Sequence, residues 1–249
     1  MLSVTDTKKN KIISLLLNWL EIRIDHQNFG WLNEKITKIS NHSSERILFT
    51  TYSATSRYLG KAKLNLSLEE LQRATALVTD WNPINWTLDQ VGRTILLLSF
   101  PSEDNVKYVA TLDKIIAAAD VGEAIAFYQS LPLLPHPEKF QLRAAEGIRT
   151  NMTSVFNAVA HYNPYPATYL DDLAWNQMVL KALFVGSSLH PISGLEHRNN
   201  PQLCQMLIDY AQERLAAHRT VSVELWELVM AFQPEIVAKL KKKSQEICS

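Results

Sequence analysis

Asp171, Asp172, Asn176, Gln177 and Lys181 stand among Leu170, Leu173, Trp175, Met178, Val179, Leu180, Leu183 and Phe184. Buried polar groups need partners, so such a mixture marks either a structural network or a site. Upstream, Arg143, Glu146, Thr150, Ser154, Asn157 and His161 fall at three-and-four spacing, the stripe of one helix face. Arg149 is three residues beyond Glu146, within ion-pairing reach. Arginine forks hold planar anions, carboxylates such as Asp171 and Asp172 can move protons, and lysine and amides hold hydroxyl-rich ligands. Each group also has an ordinary use. Asp171 and Asp172 suit the positive end of a helix, and the Arg143 stripe suits a solvated face. Asn176, Gln177 and Lys181 sit mid-helix and have no capping use. A buried Lys181 would need an acid partner, for which Glu146 is one candidate.

Other chemistries lack their residues. The seven histidines show no HxxxH or HExxH spacing, so no metal site is expected, although His190 and His197 flank the loop after residue 185. There is no GxSxG elbow and no GxxxxGK cradle, and no cofactor is implied. Cys204 and Cys248 lack CxxC spacing and suit a reducing compartment. Lysine plus arginine and aspartate plus glutamate both number 25, a balance that argues against a nucleic-acid binder. The one basic run, 239–243, fits a helix C-terminus. The first 26 residues lack a signal peptide's cleavage pattern, and no run is long enough to span a bilayer. A cytoplasmic protein is expected.

The elements that must position these groups are helices. Three-and-four periodicity, capping residues and proline stops predict helices over 8–25, 31–40, 44–59, 67–79, 88–99, 104–119, 121–130, 138–161, 167–185, 201–217, 222–232 and 234–246. Ser43 or Ser44 is expected to cap the third, Ser67 with Glu70 forms a capping box, and Ser102 or Asp104 caps the sixth. Sustained strand alternation is absent. The fold class is therefore all-α, a multi-helix domain for which HEAT-like stacked hairpins are one arrangement. Residues 1–249 read as one domain, with LPLLPHPEKF (131–140) offering a subdivision at 131–137. The 167–185 helix, apolar in most directions, is expected to be enclosed by protein, with Trp175 and Met178 in the core and Lys181 mostly buried.

One internal echo accompanies the helices. Asp80-Trp-Asn-Pro83 precedes a helix opened by Thr87, and His161-Tyr-Asn-Pro164 precedes one opened near Thr168. Stacked hairpins would produce this; so would the frequent use of Asn-Pro to start turns, which is the preferred explanation.

The stretches LPLLPHPEKF, RAAEGIRTNMTSVFNAVAHYNPYPATYLDDLAWNQMVLKALFVGSSL and NNPQLCQMLIDYAQERLAAHRTVSVELW resemble the EboA family of bacterial proteins over roughly 120–232. The resemblance implies a variable helical half, 1–130, and an EboA-like half, 138–249. It further implies a metabolite-traffic component of the ebo gene cluster, found in cyanobacteria and other bacteria and tied there to precursors of scytonemin. Such a protein would bind a small polar metabolite, or cluster partners including a membrane prenyltransferase, and support synthesis or export towards the periplasm. The family brings no catalytic residues. Its motifs coincide with the residues singled out above at Arg143, Glu146, Arg149, Asn151, Asn163, Asp171, Asp172, Asn176, Gln177 and Lys181. Two alternatives stand beside this reading. One is an enzyme on a polar or phosphorylated small molecule with Asp171 or Asp172 as acid/base; the other is a non-catalytic helical adaptor.

Overall fold

The computed structural model describes residues 4–42 and 44–248. Among the described residues the fold is all-α, with fifteen α-helices, no strand, and one isolated antiparallel bridge between Lys63 and Thr87. None of these helices is long and apolar enough to cross a membrane. They fall into two compact units, Met1–Tyr165 and Pro166–Ser249.

The first unit holds α1 (Val4–Glu21), α2 (His26–His42), α3 (Glu45–Leu59), α4 (Leu68–Leu77), α5 (Leu88–Ser99), α6 (Asn105–Ala118) and α7 (Val121–Ser130). Two 3-10 turns, Leu131–Leu133 and Pro137–Phe140, then lead to α8 (Gln141–Arg149) and α9 (Thr153–Ala160). Several starts are those the caps foretell. Ser44 accepts the Ile47 N–H, Ser67 and Glu70 form a reciprocal capping box, and Asp104 accepts the Lys107 N–H. Ser43 lies outside the described residues. Helix α2 begins at His26, five residues before its expected start.

Helix α5 is the hub, packing against α1, α2, α3 and α7, and the row continues from α7 to α9. Every residue of α5 except Gln90 is buried. Its two charges are thus enclosed, and they neutralise each other one turn apart. Arg93 donates to Asp89 Oδ2 at 2.5 Å and, through Nε, to the Tyr52 carbonyl of α3 at 3.1 Å. The Thr87 hydroxyl donates to the other Asp89 oxygen at 2.6 Å. Gly92 admits α3 closely, because a Cβ there would lie 2.2 Å from Leu59 Cδ1 and 3.0 Å from Thr55 Cγ2.

The proline-rich 131–140 segment lies inside the first unit, with Leu131, Leu133, Leu134 and Phe140 buried. The helix expected over 138–161 is in fact two. Thr150 and Met152 are extended, and the Thr150 hydroxyl accepts the Met152 N–H at 3.2 Å, a local bond that competes with the helical one. Leu142, in the first of the two, is 77% exposed.

The second unit contains α10 (Tyr165–Tyr169), whose first residue closes the preceding unit, then α11 (Asp172–Val185), α12 (Leu195–Arg198), α13 (Pro201–Ala216), α14 (Val223–Met230) and α15 (Pro234–Cys248). Helix α13 packs against α11, α14 and α15. Trp175 and Met178 are core residues, as their setting foretells. The expectation that this helix is enclosed on most sides fails, since Leu173 and Phe184 are exposed and one face alone is buried. It also starts at Asp172, with Leu170 and Asp171 breaking it from α10. The Cys248 side chain lies outside the described residues.

Removing one member of a buried ion pair costs about 3–5 kcal/mol, whereas an apolar replacement of both is often neutral. Arg93→Met is therefore expected to lower the urea midpoint sharply, and Asp89→Leu combined with Arg93→Met to recover much of it. Equal midpoints for parent and single variant would contradict the burial of this pair.

Candidate functional site

The residues singled out in sequence fall into separate groups. In the first unit Arg143 is occupied by carboxylates, with Nε donating to Asp113 and an Nη donating to Glu146, both at 2.7 Å. These bonds, Asp113 first, raise the guanidinium pKa above its ordinary value. Arg149 and Asn151 are exposed at the α8–α9 break.

In the second unit Asp171 is the N-cap of α11, accepting the Ala174 N–H at 2.7 Å, and Asp172 is exposed and paired with Arg198 at 2.8 Å. Asn176 is fully buried and exchanges two amide bonds with Asn200, at 2.9 and 3.3 Å. Asn200 in turn caps α13 by accepting the Leu203 N–H. The mid-helix amide is thus an anchor between two helices. Gln177 is exposed, and Lys181 is half-buried where mostly buried was expected, with burial lowering its pKa. The loop at 188–190 is tied to α14 through Glu224, which accepts from the Ser188 hydroxyl, the Leu189 and His190 N–H groups and the His190 ring.

A different constellation emerges in the first unit, where the two echoed Asn-Pro turns meet. The Asn82 N–H donates to the Tyr162 carbonyl at 3.3 Å. Each asparagine folds its own turn: Asn82 Oδ1 accepts from the Ile84 N–H at 3.2 Å and Asn163 Oδ1 from the Tyr165 N–H at 3.0 Å. The Asn163 amide also donates to the carbonyls of Tyr128 and Ala158, both at 3.0 Å, so one side chain clasps the ends of α7 and α9. Tyr162 is held at φ 55°, and Asp80 in the partner turn at φ 60°. Among the described non-glycine residues with positive φ, the others are Asn, Asp or His, which tolerate it; tyrosine does not readily, and such strain gathers at functional sites.

Between these turns, α7 and α9 lies a cleft of about 180 Å³. Asn82, Asn85, Trp86, Gln129, Asn157 and His161 line it, with Ser154, Ala158 and Tyr162 completing the wall. Its polar groups are amides, the Ser154 and Tyr162 hydroxyls, the Trp86 indole N–H and the His161 imidazole; among the described residues that line it there is no carboxylate, lysine or arginine. Gln129 Oε1 is buried and accepts no hydrogen bond from any described residue. A buried acceptor left in that state costs about 1–3 kcal/mol. Ser154, Asn157 and His161 belong to the three-and-four stripe that begins at Arg143, and Asn82 to the echoed turn. Gln129 carried no signal, being one of a few polar residues in a short, mostly apolar helix.

A family model described as "Metabolite traffic protein EboA" matches residues 12–230. The chain belongs to the EboA family. No match to a curated protein or to a solved structure accompanies it. The family match spans both compact units of this EboA chain, including the whole cleft and the α11 segment.

Asn163→Ala leaves two buried carbonyls short of a donor and is expected to destabilise the protein by about 1–3 kcal/mol, while exposed Asn151→Ala changes little. Thermal melts of the two variants check this, and equal melts would contradict the clasp. A second outcome concerns pH. Burial pushes the Glu224 carboxyl up, but the Ser188 hydroxyl, the Leu189 and His190 N–H groups and the charge of His190 outweigh it, holding its pKa below the usual value. A depressed carboxyl stabilises the fold above its unfolded pKa and loses that contribution as pH falls through the folded one. Parent and Glu224→Gln should therefore differ in melting temperature at neutral pH and converge below the ordinary carboxylate range. A difference that persists in acid would contradict this.

Proposed function

We propose that this EboA protein is a binding component of metabolite traffic that holds a small polar metabolite in the cleft between the two Asn-Pro turns. The observation that carries the reading is the cleft itself, a wall in which Asn82, Asn85, Gln129, Ser154, Asn157 and His161 bring hydrogen-bonding side chains together. Functional pockets combine a few placed polar groups with aromatic or apolar walls, here Trp86 and Ala158. Binding is placed here rather than at Arg143, because Asp113 and Glu146 already occupy that guanidinium. In this reading the protein works in the cytoplasm as an accessory of the ebo cluster. It passes its ligand to cluster partners, a membrane prenyltransferase among them, for synthesis or export towards the periplasm. The family name supports the traffic role.

A lining side chain kept for a ligand has the opposite stability signature from a structural one. Gln129→Met removes an unsatisfied group, so the free protein should melt at the parent temperature or above, while the ligand is lost. Native mass spectrometry of protein purified from its own host is expected to show a bound small molecule on the parent and a bare chain for Gln129→Met. Bare chains for both, or a Gln129→Met protein that melts well below the parent, would sink the reading.

A further inference from the structure

The basic run 239–243 takes no part in the cleft, and the structure removes the ordinary use that the sequence offers for it. Cations favour a helix from within its last turn, and the effect fades beyond that turn. Helix α15 runs on to Cys248, and its last turn holds no basic residue. The lysines therefore stand in the middle of the helix. Val237 and Leu240 are buried on its inner side, while Lys239, Lys241 and Lys242 are exposed. Lys239 and Lys242 share the outward stripe with Glu235. Like charges at this spacing repel, so the cluster is a cost to the helix until an anion offsets it. Elsewhere Arg23, Arg93, Arg143 and Arg198 each face a carboxylate. Lys239, Lys241 and Lys242 face none among the described residues.

A second feature stands where this helix begins. Met230 and Phe232, in the turn from α14 to α15, are 44% and 40% exposed. The turn is tied, since the Phe232 and Gln233 N–H groups both donate to the Val229 carbonyl, at 3.1 and 2.9 Å. At ~1.5 Å per residue, Lys239 lies about 7 Å along α15 from Pro234. We infer that α15, with Met230 and Phe232 beside it, docks this unit on an anionic lipid surface. Charge complementarity selects that occupant. Each lysine near such a surface adds about fivefold in affinity, so Lys239, Lys241, Lys242 and Lys243 compound to something on the order of several hundredfold. Binding at a lipid interface also grows with the apolar area buried there, which Met230 and Phe232 supply. Lysine stems can lie along that apolar region while their ammonium groups stay among the phosphates. Nucleic acid fits less well, because the chain carries 25 cations against 25 anions and a phosphate backbone has no use for the two apolar side chains. None of the described helices is long and apolar enough to cross a bilayer, so the contact is a peripheral one. It shares no residue with the cleft, and neither reading depends on the other.

The test uses the full chain and two kinds of vesicle, phosphatidylcholine alone and phosphatidylcholine with about a third phosphatidylglycerol. Binding is read by flotation at low and high salt. The parent is expected to prefer the anionic vesicles by about tenfold or more and to be released by salt. Lys239→Gln, Lys241→Gln and Lys242→Gln combined should lose about a hundredfold at an unchanged or raised melting temperature, and arginine at the same three positions should keep parental binding. Phe232→Ser should lose about threefold or more while the salt dependence stays that of the parent. A parent that remains in solution with both vesicles at low salt, or floats equally with both, overturns the inference. So does a triple glutamine variant, or a Phe232→Ser variant, that floats as the parent does. Capture of the parent by polyuridylate while anionic vesicles stay bare assigns the lysines to nucleic acid and overturns the lipid surface.

Discussion

The first unit is organised by a helix of which every residue but Gln90 is withdrawn from water. Helix α5 is surrounded by α1, α2, α3 and α7, so each polar group on it must be answered from within the protein. Asp89 and Arg93 answer one another, and the remaining capacity of both reaches the Thr87 hydroxyl and the Tyr52 carbonyl. The second of these bonds belongs to α3, so the network fixes how α3 lies across the hub as well as neutralising charge. Gly92 then sets how near the two helices come. From this centre the packing passes outward through α7 to α9, and those last two helices form one wall of the cleft.

The cleft exists because two turns of the same chemistry are pinned together at the far end of that row. A backbone bond joins Asn82 to Tyr162, and the Asn163 amide gathers the final carbonyls of α7 and α9. Helix ends normally leave such carbonyls to water or to caps. Here a single side chain reaches both, and Gln129, one residue beyond the clasped Tyr128, belongs to the cleft wall.

Much of the architecture was legible in the sequence. Periodicity, the Ser67–Glu70 box and the Asp104 and Ser44 caps placed most helices near their observed ends, and the long EboA-like stretches named the family. What failed did so for physical reasons. Thr150 and Asn151 break a helix with neither glycine nor proline, because a threonine hydroxyl can take over a backbone partner; no pattern of apolar residues reports that. The α11 segment reads as enclosed from composition alone, yet Leu173 and Phe184 are exposed, since apolar residues are common on protein surfaces. The helix that is enclosed, α5, carries only two charged residues four positions apart, and such a pair is also what an exposed helix shows. None of the binding residues named from sequence lines the cleft; of the marked residues only Ser154, Asn157 and His161 of the stripe and Asn82 of the doubled Asn-Pro do. The cleft depends on which residues from four elements meet, and that belongs to the tertiary structure.

The identity of the residue after each turn-forming asparagine has a consequence for how the protein ages. Spontaneous loss of an asparagine amide proceeds through attack of the following backbone nitrogen on the side chain, and proline has no N–H to offer. Pro83 follows Asn82 and Pro164 follows Asn163, so the two amides that hold the junction are sheltered from the commonest route of chemical decay. Asn85, ahead of Trp86, and Asn157, ahead of Ala158, have no such protection. Over a long cellular lifetime the frame of the cleft would outlast the chemistry of its lining.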